Sequence, residues 1–423
     1  MRVGLLGCGN VGAPLLQLLT TQADEIEART GLRLEITRVA VRSASKERGV
    51  DIDPALLTTD AAHVVADPGV DVIVEVIGGI EPARELILAA LAAGKPVVTG
   101  NKELLANVGA ELFAAAEAAG KDLLFEAAVA GGIPLIRPLR ESLVGERIRR
   151  VLGIVNGTTN FILTKMTEEG AEYGDVLAEA QRLGYAERDP TADVEGFDAG
   201  AKAAIIASIA FGARVVAGDV YHEGISGLTS SDIDYARKLG YVVKLLAIAE
   251  QSADDGSIGV RVHPAMVPTT HPLASVRESY NAVFVEGEAV GNLMFYGRGA
   301  GGMPTASAVL GDLIDAAANL RKGAHASLGS LAKADIRPID DSSSEYYLNV
   351  EVADRPGVLA SVAGVFGAHG VSIRAMEQEG LGDGARLVFI THTAVERDLQ
   401  ATLHELRELD SVHRVVSMLR VVS

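Results

Sequence analysis

The chain of 423 residues carries a formal net charge of −18, with 48% hydrophobic and 22% charged residues. Its length predicts two or three globular domains, because a single hydrophobic core stops growing before this size. Its negative charge excludes a nucleic-acid partner, because binding to phosphates requires clustered lysine and arginine. The one cysteine, Cys8, excludes an intrachain disulfide, and no export signal precedes the first predicted strand, so we expect a cytoplasmic protein.

The first block of the chain alternates short apolar runs with helical patterns. The predicted strands are Arg2–Leu6, Glu35–Val41, Val70–Val76, Pro96–Thr99 and Leu123–Ala127, and the predicted helices are Val11–Arg29, Pro82–Ala93 and Leu104–Ala119. Apolar strands without a polar alternation are typical of a parallel sheet covered on both faces. The pattern predicts an α/β, doubly wound (Rossmann) nucleotide-binding domain over residues 1–130.

A glycine-rich loop joins the first strand to the first helix. It has the spacing G-x-G-x-x-G, with Gly7 for the tight turn, Gly9 for close approach of a pyrophosphate, and Gly12 for helix–strand packing. Asn10 and Val11 add backbone amides at the helix N-terminus, which attract phosphate. The alternative is a turn that serves packing alone, but the strand before and the helix after favour binding of a nicotinamide dinucleotide.

The end of the second strand bears on the choice of cofactor. An NAD site usually has an acidic residue there for the ribose hydroxyls, whereas this strand ends at Val41 and is followed by Arg42. Arginine forms charge-assisted hydrogen bonds to a 2′-phosphate. Arg42 therefore predicts a preference for NADP, with NAD still possible; the alternative is a solvated residue at a strand end.

Residues that follow the next strands are candidates for the site, because ligands bind beyond the carboxyl ends of a doubly wound sheet. Gly78 and Lys102 each follow a predicted strand, and Lys102 is expected to face the nicotinamide. A solvated lysine at a helix start is the alternative. Glu126 precedes a loop of small residues whose carbonyls can bind a hard cation.

The second block, residues 131–335, is predicted as an α+β substrate and dimerisation domain. Its predicted elements include strands Arg149–Val155 and Ala282–Glu288 and helices Glu172–Leu183 and Ala199–Ala213. The uncharged stretch Ala203–Ala213 is too short to span a bilayer, so we expect a buried helix and no membrane partner.

The segment Gly184–Lys202 is acidic and leads directly into this apolar helix. Asp198 and Lys202 are four residues apart, so on a helix they share a face. An exposed ion pair is one interpretation. Paired charges at the start of a buried helix beside a cleft are also candidates for proton transfer.

The last block follows a polar linker, residues 336–344, and covers residues 345–423. Its predicted order is strand, helix, two strands, helix, strand: Tyr346–Val352, Val358–Ala368, Val371–Glu377, Ala385–His392, Glu396–Leu406 and His413–Val422. This is the split βαβ order of ferredoxin-like folds. Asp354 is expected to cap the first of these helices, with Pro356 in its first turn and Gly357 leaving room for a ligand.

Several segments together resemble the homoserine dehydrogenases. They are the glycine loop, Thr99–Lys102, Glu126–Pro134, Asn156–Ile162, Gly184–Lys202 and Gly299–Ala308, and they span residues 1–335 in one order. The tail, with Asp354–Leu359, resembles an ACT domain. The resemblance implies reversible interconversion of L-homoserine and L-aspartate 4-semialdehyde, in the biosynthesis of threonine, methionine and isoleucine, by a homodimer or homotetramer.

The resemblance also implies roles for the substrate site. Lys102 and Lys202 match the two active-site lysines, with Lys202 the usual proton donor or acceptor at the substrate oxygen and Asp198 orienting it. The substrate ammonium would be held by Glu187, with two further residues nearby, which are Thr158 and Asp193.

Further site residues follow from the same resemblance. Glu126 and the carbonyls of Val129, Gly131 and Ile133 match a site for a monovalent cation such as sodium or potassium. Gly302 matches a segment, within residues 300–320, that returns to the cofactor. By analogy, L-threonine is the expected effector, bound between paired tails near Asp354 and Gly357; a well-capped helix without any effector explains those residues equally.

Two other functions are compatible with parts of this pattern. One is another NADP-linked dehydrogenase with an ACT tail, such as one acting on phosphoglycerate, where we expect the glycine loop inside the chain and not at Gly7. The other is an amino-acid sensor without catalysis, which would have no need to retain Lys102, Glu187, Asp198 and Lys202.

Overall fold

The structure, a computed structural model, describes residues 1–329, 331–380, 382 and 384–422. Its strands are β1 (Arg2–Leu6), β2 (Glu35–Ala40), β3 (Leu57–Thr58), β4 (Val72–Glu75), β5 (Val97–Thr99), β6 (Leu123–Leu124), β7 (Ile148–Ile154), β8 (Ala213–Arg214), β9 (Tyr221–His222), β10 (Tyr241–Gln251), β11 (Ile258–Pro268), β12 (Tyr280–Gly287), β13 (Gly291–Arg298), β14 (Ala332–Lys333), β15 (Ser343–Ala353), β16 (Ile373–Gly380), β17 (Gly384–Thr391), β18 (Ala394–Val395) and β19 (Val412–Val421). Its helices are α1 (Gly12–Thr21), α2 (Ala23–Thr30), α3 (Ala61–Ala66), α4 (Ala83–Ala92), α5 (Lys102–Ala119), α6 (Gly157–Glu169), α7 (Tyr173–Arg182), α8 (Thr191–Val194), α9 (Phe197–Phe211), α10 (Ser230–Lys238), α11 (Gly302–Lys322), α12 (Val358–Ala368) and α13 (Glu396–Glu408).

The first of two compact units comprises Met1–Val151, Ala201–Val220 and Asn281–Ala334. It contains a parallel sheet in the order β3-β2-β1-β4-β5-β6, which confirms the doubly wound fold. The direction of winding reverses between β1 and β4, and ligands bind at such a reversal. α11, far along the chain, packs on this sheet through apolar residues at helical spacing, Val309, Leu313 and Ala316.

Most predicted elements of this unit agree with the structure to within two residues at each end, and two differ by more. The predicted helix Val11–Arg29 is wrong as a single element, because it breaks at Gln22; the hydroxyls of Thr20 and Thr21 donate to carbonyls four residues back, a bond that bends helices. The predicted strand Leu123–Ala127 ends at Leu124. There the backbone N–H of Glu126 donates to the Asp312 carboxylate and not to a neighbouring strand.

The apolar helix α9 has the predicted burial over residues 203–208, whereas residues 209–211 are half-buried. Residues 203–207 are each at most 3% exposed. Among the described residues, no helix combines the length and the hydropathy that a bilayer span requires.

The second unit comprises Leu152–Gly200, Tyr221–Tyr280 and Asp335–Ser423. Its strands β10 and β11 form a long antiparallel pair, and β19 pairs in parallel with the end of β11. The strand order continues as β19-β15-β17-β16. α12 and α13 bury apolar residues, among them Val362, Phe366 and Leu403, against this part of the sheet. The ferredoxin-like order of the tail is thereby confirmed.

The start of α12 differs from the prediction. Its N-cap is Gly357, which has φ 91°, and no side chain of the described residues caps it. The left-handed backbone at Gly357 delays the helix until Val358, so Asp354 and Pro356 precede it. The prediction that Asp354 caps the helix, with Pro356 in its first turn, was wrong.

Candidate functional site

A cavity of about 320 Å³ in the first unit opens beyond the carboxyl ends of β4 and β5. Its lining comprises Gly78, Gly79, Gly100, Asn101, Lys102, Glu103, Ala127, Ala128, Ala130, Gly131, Lys202, Gly299, Ala300 and Thr305. Lys102 and Lys202 come from sequence positions 100 residues apart, yet they line this one cavity together with the loop at Gly78. The cavity is therefore lined by two lysines and five glycines.

The glycine loop after β1 has the geometry that a dinucleotide requires. Gly7 has φ 98°, and a Cβ there would lie 2.7 Å from the carbonyl oxygen of Val76. A Cβ at Gly12 would lie 2.1 Å from the carbonyl oxygen of Gly7, whereas at Gly9 no described atom lies within 4 Å. Gly7 and Gly12 are thus fixed by packing and Gly9 is open. The loop fits a pyrophosphate, because backbone can approach it closely there.

The start of α11 packs against the glycine loop. A Cβ at Gly302 would lie 2.4 Å from the carbonyl oxygen of Asn10, so only glycine permits this approach. The structure thus brings Gly302 to the glycine loop, although nearly 300 residues separate them.

A buried glutamate that sequence reasoning missed holds the loop at Gly78. Glu75 is fully buried at the end of β4, and its carboxylate accepts hydrogen bonds from Ile77 N (2.8 Å), Gly78 N (3.3 Å) and Thr99 Oγ1 (2.5 Å). Burial raises the pKa of Glu75. A charged residue inside an otherwise apolar buried strand was the available signal.

Asn101 sets the position of Lys102. Its Oδ1 accepts a hydrogen bond from Leu104 N (3.2 Å) and so caps α5, while its Nδ2 donates to the carbonyl of Gly79 (2.7 Å). Lys102 is therefore the first residue of α5 and is half-buried. Asn101 therefore connects the start of α5, where Lys102 lies, to the loop that follows β4.

Arg42 lies exposed just beyond β2. The loop after it is held by Arg48, whose guanidinium donates to the carbonyls of Lys46 (2.5 Å), Ala44 (3.4 Å) and Ser43. These hydrogen bonds of Arg48 stabilise the loop, whereas the guanidinium of Arg42 is exposed to solvent at the end of β2.

Glu126 is buried within a tight chain reversal. Its carboxylate accepts the backbone N–H groups of Leu135 (2.5 Å), Ile136 (2.8 Å) and Arg137 (2.8 Å). A carboxylate has about four lone-pair directions, so this one keeps capacity for a cation. Across the described residues, no group of three His, Cys, Asp or Glu side chains is arranged to hold a metal ion. A cation at this place would therefore need backbone carbonyls.

The backbone of the Glu126 loop is suited to presenting carbonyls. Ala130 and Gly131 both have positive φ, 57° and 54°, and a Cβ at Gly131 would lie 2.4 Å from the carbonyl oxygen of Gly299. The loop is braced by Asp312 of α11, whose carboxylate accepts Glu126 N (2.7 Å) and Arg137 Nη2 (3.0 Å). Sequence reasoning missed Asp312, because its partners lie about 180 residues away.

The acidic segment lies in the second unit. The side-chain amide of Asn156 donates to Asp193 Oδ1 (2.7 Å) and to Asp198 Oδ2 (2.9 Å). The structure thus brings two of the predicted site carboxylates together on one amide group. Asn156 itself was not among the predicted site residues.

Thr158 connects the start of α6 to the loop that carries Glu187. Its hydroxyl donates to the carbonyl of Tyr185 (2.7 Å), two residues before Glu187, and the ring of Tyr185 packs on Phe161 at 4.9 Å between centroids. Gln181 donates to the backbone carbonyl of Glu187 (3.1 Å), and the Glu187 side chain is exposed. The loop is therefore fixed while its carboxylate faces outward.

A second cavity, of about 440 Å³, lies in the tail. Its lining comprises Val352, Ala353, Asp354, Arg355, Pro356, Gly357, Val358, Leu359, Gln378 and Leu387. Asp354 and Gly357 are both among these residues, next to the uncapped start of α12. A helix N-terminus without a side-chain cap offers backbone N–H donors to a carboxylate.

Comparison with known proteins gives a consistent result along the chain. Family models match in three ranges: "Homoserine dehydrogenase, NAD binding domain" over residues 7–126, "Homoserine dehydrogenase" over 134–314, and "ACT domain" over 346–411. The homoserine dehydrogenase of Corynebacterium glutamicum is 52% identical over 423 residues, covering 99% of this chain and 95% of that protein.

Solved structures are similar as well. A homoserine dehydrogenase from Thiobacillus denitrificans matches with a TM-score of 0.94 at 44% identity, covering 100% of this chain and 98% of that one. A hyperthermophilic archaeal homoserine dehydrogenase in complex with NADPH matches with a TM-score of 0.64 at 29% identity, covering 75% of this chain and 97% of that one.

Proposed function

Because the chain belongs to the homoserine dehydrogenase family, and is an NAD(P)-dependent oxidoreductase acting on a CH–OH group, we propose a role for each site residue in its reaction. The reaction is the interconversion of L-homoserine and L-aspartate 4-semialdehyde. The observation that carries the proposal is that Lys102 and Lys202 line one cavity, together with Ala300 and Thr305, which flank the Gly302 contact with the glycine loop. Lys102 follows β5, and Lys202 of α9 lines the same cavity beyond the carboxyl ends of β4 and β5, where a doubly wound sheet binds its ligands.

Lys202 is the acid–base residue in this proposal. The bound nicotinamide supplies the hydride acceptor for oxidation. As hydride leaves the substrate carbon, the neutral Lys202 amine takes the hydroxyl proton, and in reduction the ammonium returns it to the carbonyl oxygen. Lys102 donates a hydrogen bond to the same oxygen and fixes its position. Asp198 orients Lys202, since residues four apart share a helix face.

The remaining acidic residues bind the substrate. Glu187 and Asp193 hold the α-ammonium group, because paired carboxylates are suited to a compact cation. Thr158 contributes its backbone N–H at the N-terminus of α6, where a substrate carboxylate is favoured by the helix dipole, while its hydroxyl stays bonded to the carbonyl of Tyr185. The carboxylates held by Asn156 support this assignment.

The test of this proposal is homoserine-dependent formation of reduced cofactor by the full chain. In Lys102→Met, we expect kcat to fall by about 10² or more, because an oriented hydrogen bond at the reacting oxygen is lost. Binding of the cofactor should stay within about twofold of the parent. Unchanged kcat would contradict the role given to Lys102.

NADP is the preferred cofactor in this proposal, and NAD remains usable. Exposed Arg42 next to β2 supports it, and so does the archaeal relative that was solved in complex with NADPH. A guanidinium pairs with a 2′-phosphate, and the ribose of NAD offers no such charge.

A monovalent cation, sodium or potassium, is bound by Glu126 and the carbonyls of Val129, Gly131 and Ile133. The buried carboxylate and the positive φ angles of the loop support this site. It would stabilise the loop that lines the cavity at Gly131. We expect sodium or potassium chloride, compared with choline chloride at equal ionic strength, to raise the Tm of the parent and not of Glu126→Gln.

The ACT domain is consistent with regulation by an amino acid, and we propose L-threonine as that effector. The 440 Å³ cavity and the uncapped start of α12 support a site at Asp354 and Gly357. We expect Asp354→Asn to raise the half-inhibitory threonine concentration by about tenfold, and Asp398→Asn, a matched change at the start of α13, to leave it unchanged. Equal inhibition of Asp354→Asn and parent would contradict this site.

The assembly and the domain limits are further proposals. We propose a homodimer or homotetramer, supported by the 55% exposed Tyr296 on β13, with light scattering after gel filtration as the test. The single cysteine supports a reducing compartment such as the cytoplasm. The three matched ranges support domains at 1–130, 131–335 and 345–423 with a linker at 336–344.

A further inference from the structure

Asn156 uses its whole hydrogen-bonding capacity. Its two amide hydrogens go to Asp193 and Asp198, and its Oδ1 accepts Thr159 N (2.9 Å) and Thr159 Oγ1 (3.1 Å). An amide side chain has two donors and an acceptor with two lone pairs. Asn156 is also 5% exposed. Every polar group of this buried side chain is therefore assigned a partner.

The orientation of the amide follows from the partners. Ionised carboxylates only accept hydrogen bonds, so the nitrogen must face Asp193 and Asp198, and the oxygen must face the N–H of Thr159. The reverse orientation would set an oxygen against two carboxylates. No exchange of the two amide atoms is compatible with this site.

A cap for α6 alone does not require asparagine. Elsewhere in the chain Asp60 caps α3 and Thr229 caps α10, each through a side-chain oxygen. At position 156 an aspartate could accept the same N–H of Thr159. The feature that only the amide supplies is donation towards the two carboxylates.

The backbone around Asn156 holds the amide in place. A Cβ at Gly157 would lie 2.7 Å from the carbonyl oxygen of Ser279, so the first turn of α6 is packed directly on that segment. One turn later Asn160 donates to the carbonyls of Glu278 (2.9 Å) and Tyr280 (3.1 Å). The donor group is thus anchored by the first turn of α6 and has little freedom to follow a carboxylate that moves.

We propose that Asn156 is a positioning residue for the dehydrogenase reaction, which fixes the distance between Asp193 and Asp198 by donating one amide hydrogen to each. This inference rests on the proposed roles of these two carboxylates. Two like charges near each other repel, and a charge-assisted hydrogen bond to each offsets that repulsion. Through Asp193 the amide acts on the substrate ammonium, and through Asp198 on Lys202.

The test is Asn156→Asp in the full chain, a substitution of equal size that keeps the cap oxygen and removes both donors. We expect kcat/KM for homoserine to fall by about 100-fold, because hydrogen bonds to charged groups are the strong ones. KM for the nicotinamide cofactor should change less than threefold. This split distinguishes positioning from a general loss of structure, which would affect both substrates.

Asn160→Asp is the matched control, since it makes the same change on the same helix at a site with 1% exposure. We expect it to lower Tm with less than a fivefold effect on kcat/KM for homoserine. Should Asn156→Asp fail to fold, Asn156→Ser keeps a capping hydroxyl without two donors, and the same split is expected of it.

The outcomes separate this inference from the proposed function. Large losses in Asp193→Asn and Asp198→Asn, with Asn156→Asp no worse than Asn160→Asp, would overturn the inference alone. Unchanged kcat and homoserine KM in both aspartate variants would overturn the proposed roles and the inference with them. A loss in Asn156→Asp that appears equally in the cofactor KM would also overturn the inference.

Discussion

At the scale of single residues, Arg42 is the one on which cofactor preference depends in our proposal. It is exposed, whereas the nearby Arg48 is engaged with three backbone carbonyls. We expect Arg42→Ala to lower kcat/KM for NADP by about tenfold and to leave kcat/KM for NAD within twofold, since only NADP carries the 2′-phosphate.

The matched control for Arg42 is Lys46→Ala, which removes another cation from the same exposed loop. We expect it to change the NADP to NAD ratio by less than threefold. Initial rates at saturating homoserine measure both variants. An equal change of the ratio in the two variants would show that the preference comes from the general charge of the loop.

The candidate site could be predicted from the sequence only in part. Lys102 and Lys202 follow from motifs, and the structure brings both to one cavity. Glu75 and Asn156 were missed. Their importance lies in partners that folding brings close, such as Thr99 for Glu75 and Asp193 for Asn156. A periodicity or a local motif carries no information on such long-range hydrogen bonds.

At the scale of helices and strands, a buried lysine joins β10 to α6. Lys244 is 2% exposed, and its Nζ donates to Asn160 Oδ1 (2.9 Å) and to the carbonyl of Val276 (2.5 Å). Burial lowers the pKa of Lys244 to about 8. The folded chain therefore loses this proton at a lower pH than the unfolded chain does.

This shift makes a prediction with a definite sign. Between about pH 8 and the usual lysine pKa of about 10.4, the unfolded chain binds more protons, so stability contributed by Lys244 rises with pH. We expect the free energy of unfolding of the parent, minus that of Lys244→Met, to increase by roughly 3 kcal/mol from pH 7.5 to pH 10.5. Urea unfolding at several pH values measures it. A difference that does not change with pH would contradict the buried state of the lysine.

A buried ion cluster connects β19 with α13 and with the segment after β9. Arg420, with a side chain 3% exposed, donates to both oxygens of Glu396 (2.7 and 2.8 Å) and to Glu223 (2.9 Å). We expect Arg420→Ala to destabilise the protein by about 3–5 kcal/mol, because Glu396 would stay buried without its counter-ion.

The double variant Arg420→Met with Glu396→Gln tests the cause of that loss. It removes both charges, and the amide oxygen introduced in place of the Glu396 carboxylate can still accept the hydroxyl of Tyr346. We expect at most about half of the destabilisation of Arg420→Ala. Equal destabilisation of the two variants, measured by urea unfolding, would mean that packing and not the unpaired charge is responsible.

Prediction of the elements from sequence succeeded where periodicity is strong and failed at their ends. The helix at Val358–Ala368 has the predicted bounds, whereas the predicted strand Leu123–Ala127 stops at Leu124. The strand ends early because the backbone of Glu126 turns to meet Asp312. Helix α3 and strand β3 were not predicted, since they are short and lack a long periodic pattern.

At the scale of the whole molecule, the sequence was sufficient for the fold class and the activity. The homoserine dehydrogenase with an ACT domain, predicted from motifs in one order, is confirmed by the family matches and the relatives. The prediction that α11 returns to the first sheet depended on the motif at Gly302, because the local sequence pattern does not indicate where a helix packs. A return of the chain over such a distance is a property of the tertiary fold.

The last strand of the tail, β19, pairs with β11, which precedes the tail in the chain. This pairing affects how regulation can be tested by deletion. β19 pairs with β11 at Ala265 and Met266, and Val422 N donates to the carbonyl of Met266. Deleting residues 340–423 would expose these backbone groups, so loss of threonine sensitivity in such a protein would be ambiguous. Substitutions at Asp354 in the full chain are the cleaner test.

Acid–base catalysis by Lys202 is tested by the initial rate of homoserine oxidation by Lys202→Met, with cofactor binding measured on the same protein. We expect kcat to fall by about 10²–10⁴, the usual contribution of a positioned acid–base group, with cofactor Kd within twofold of the parent. Lys322→Met, an exposed lysine of the same unit, should behave as the parent. Parent-like turnover in Lys202→Met would contradict the acid–base role of Lys202.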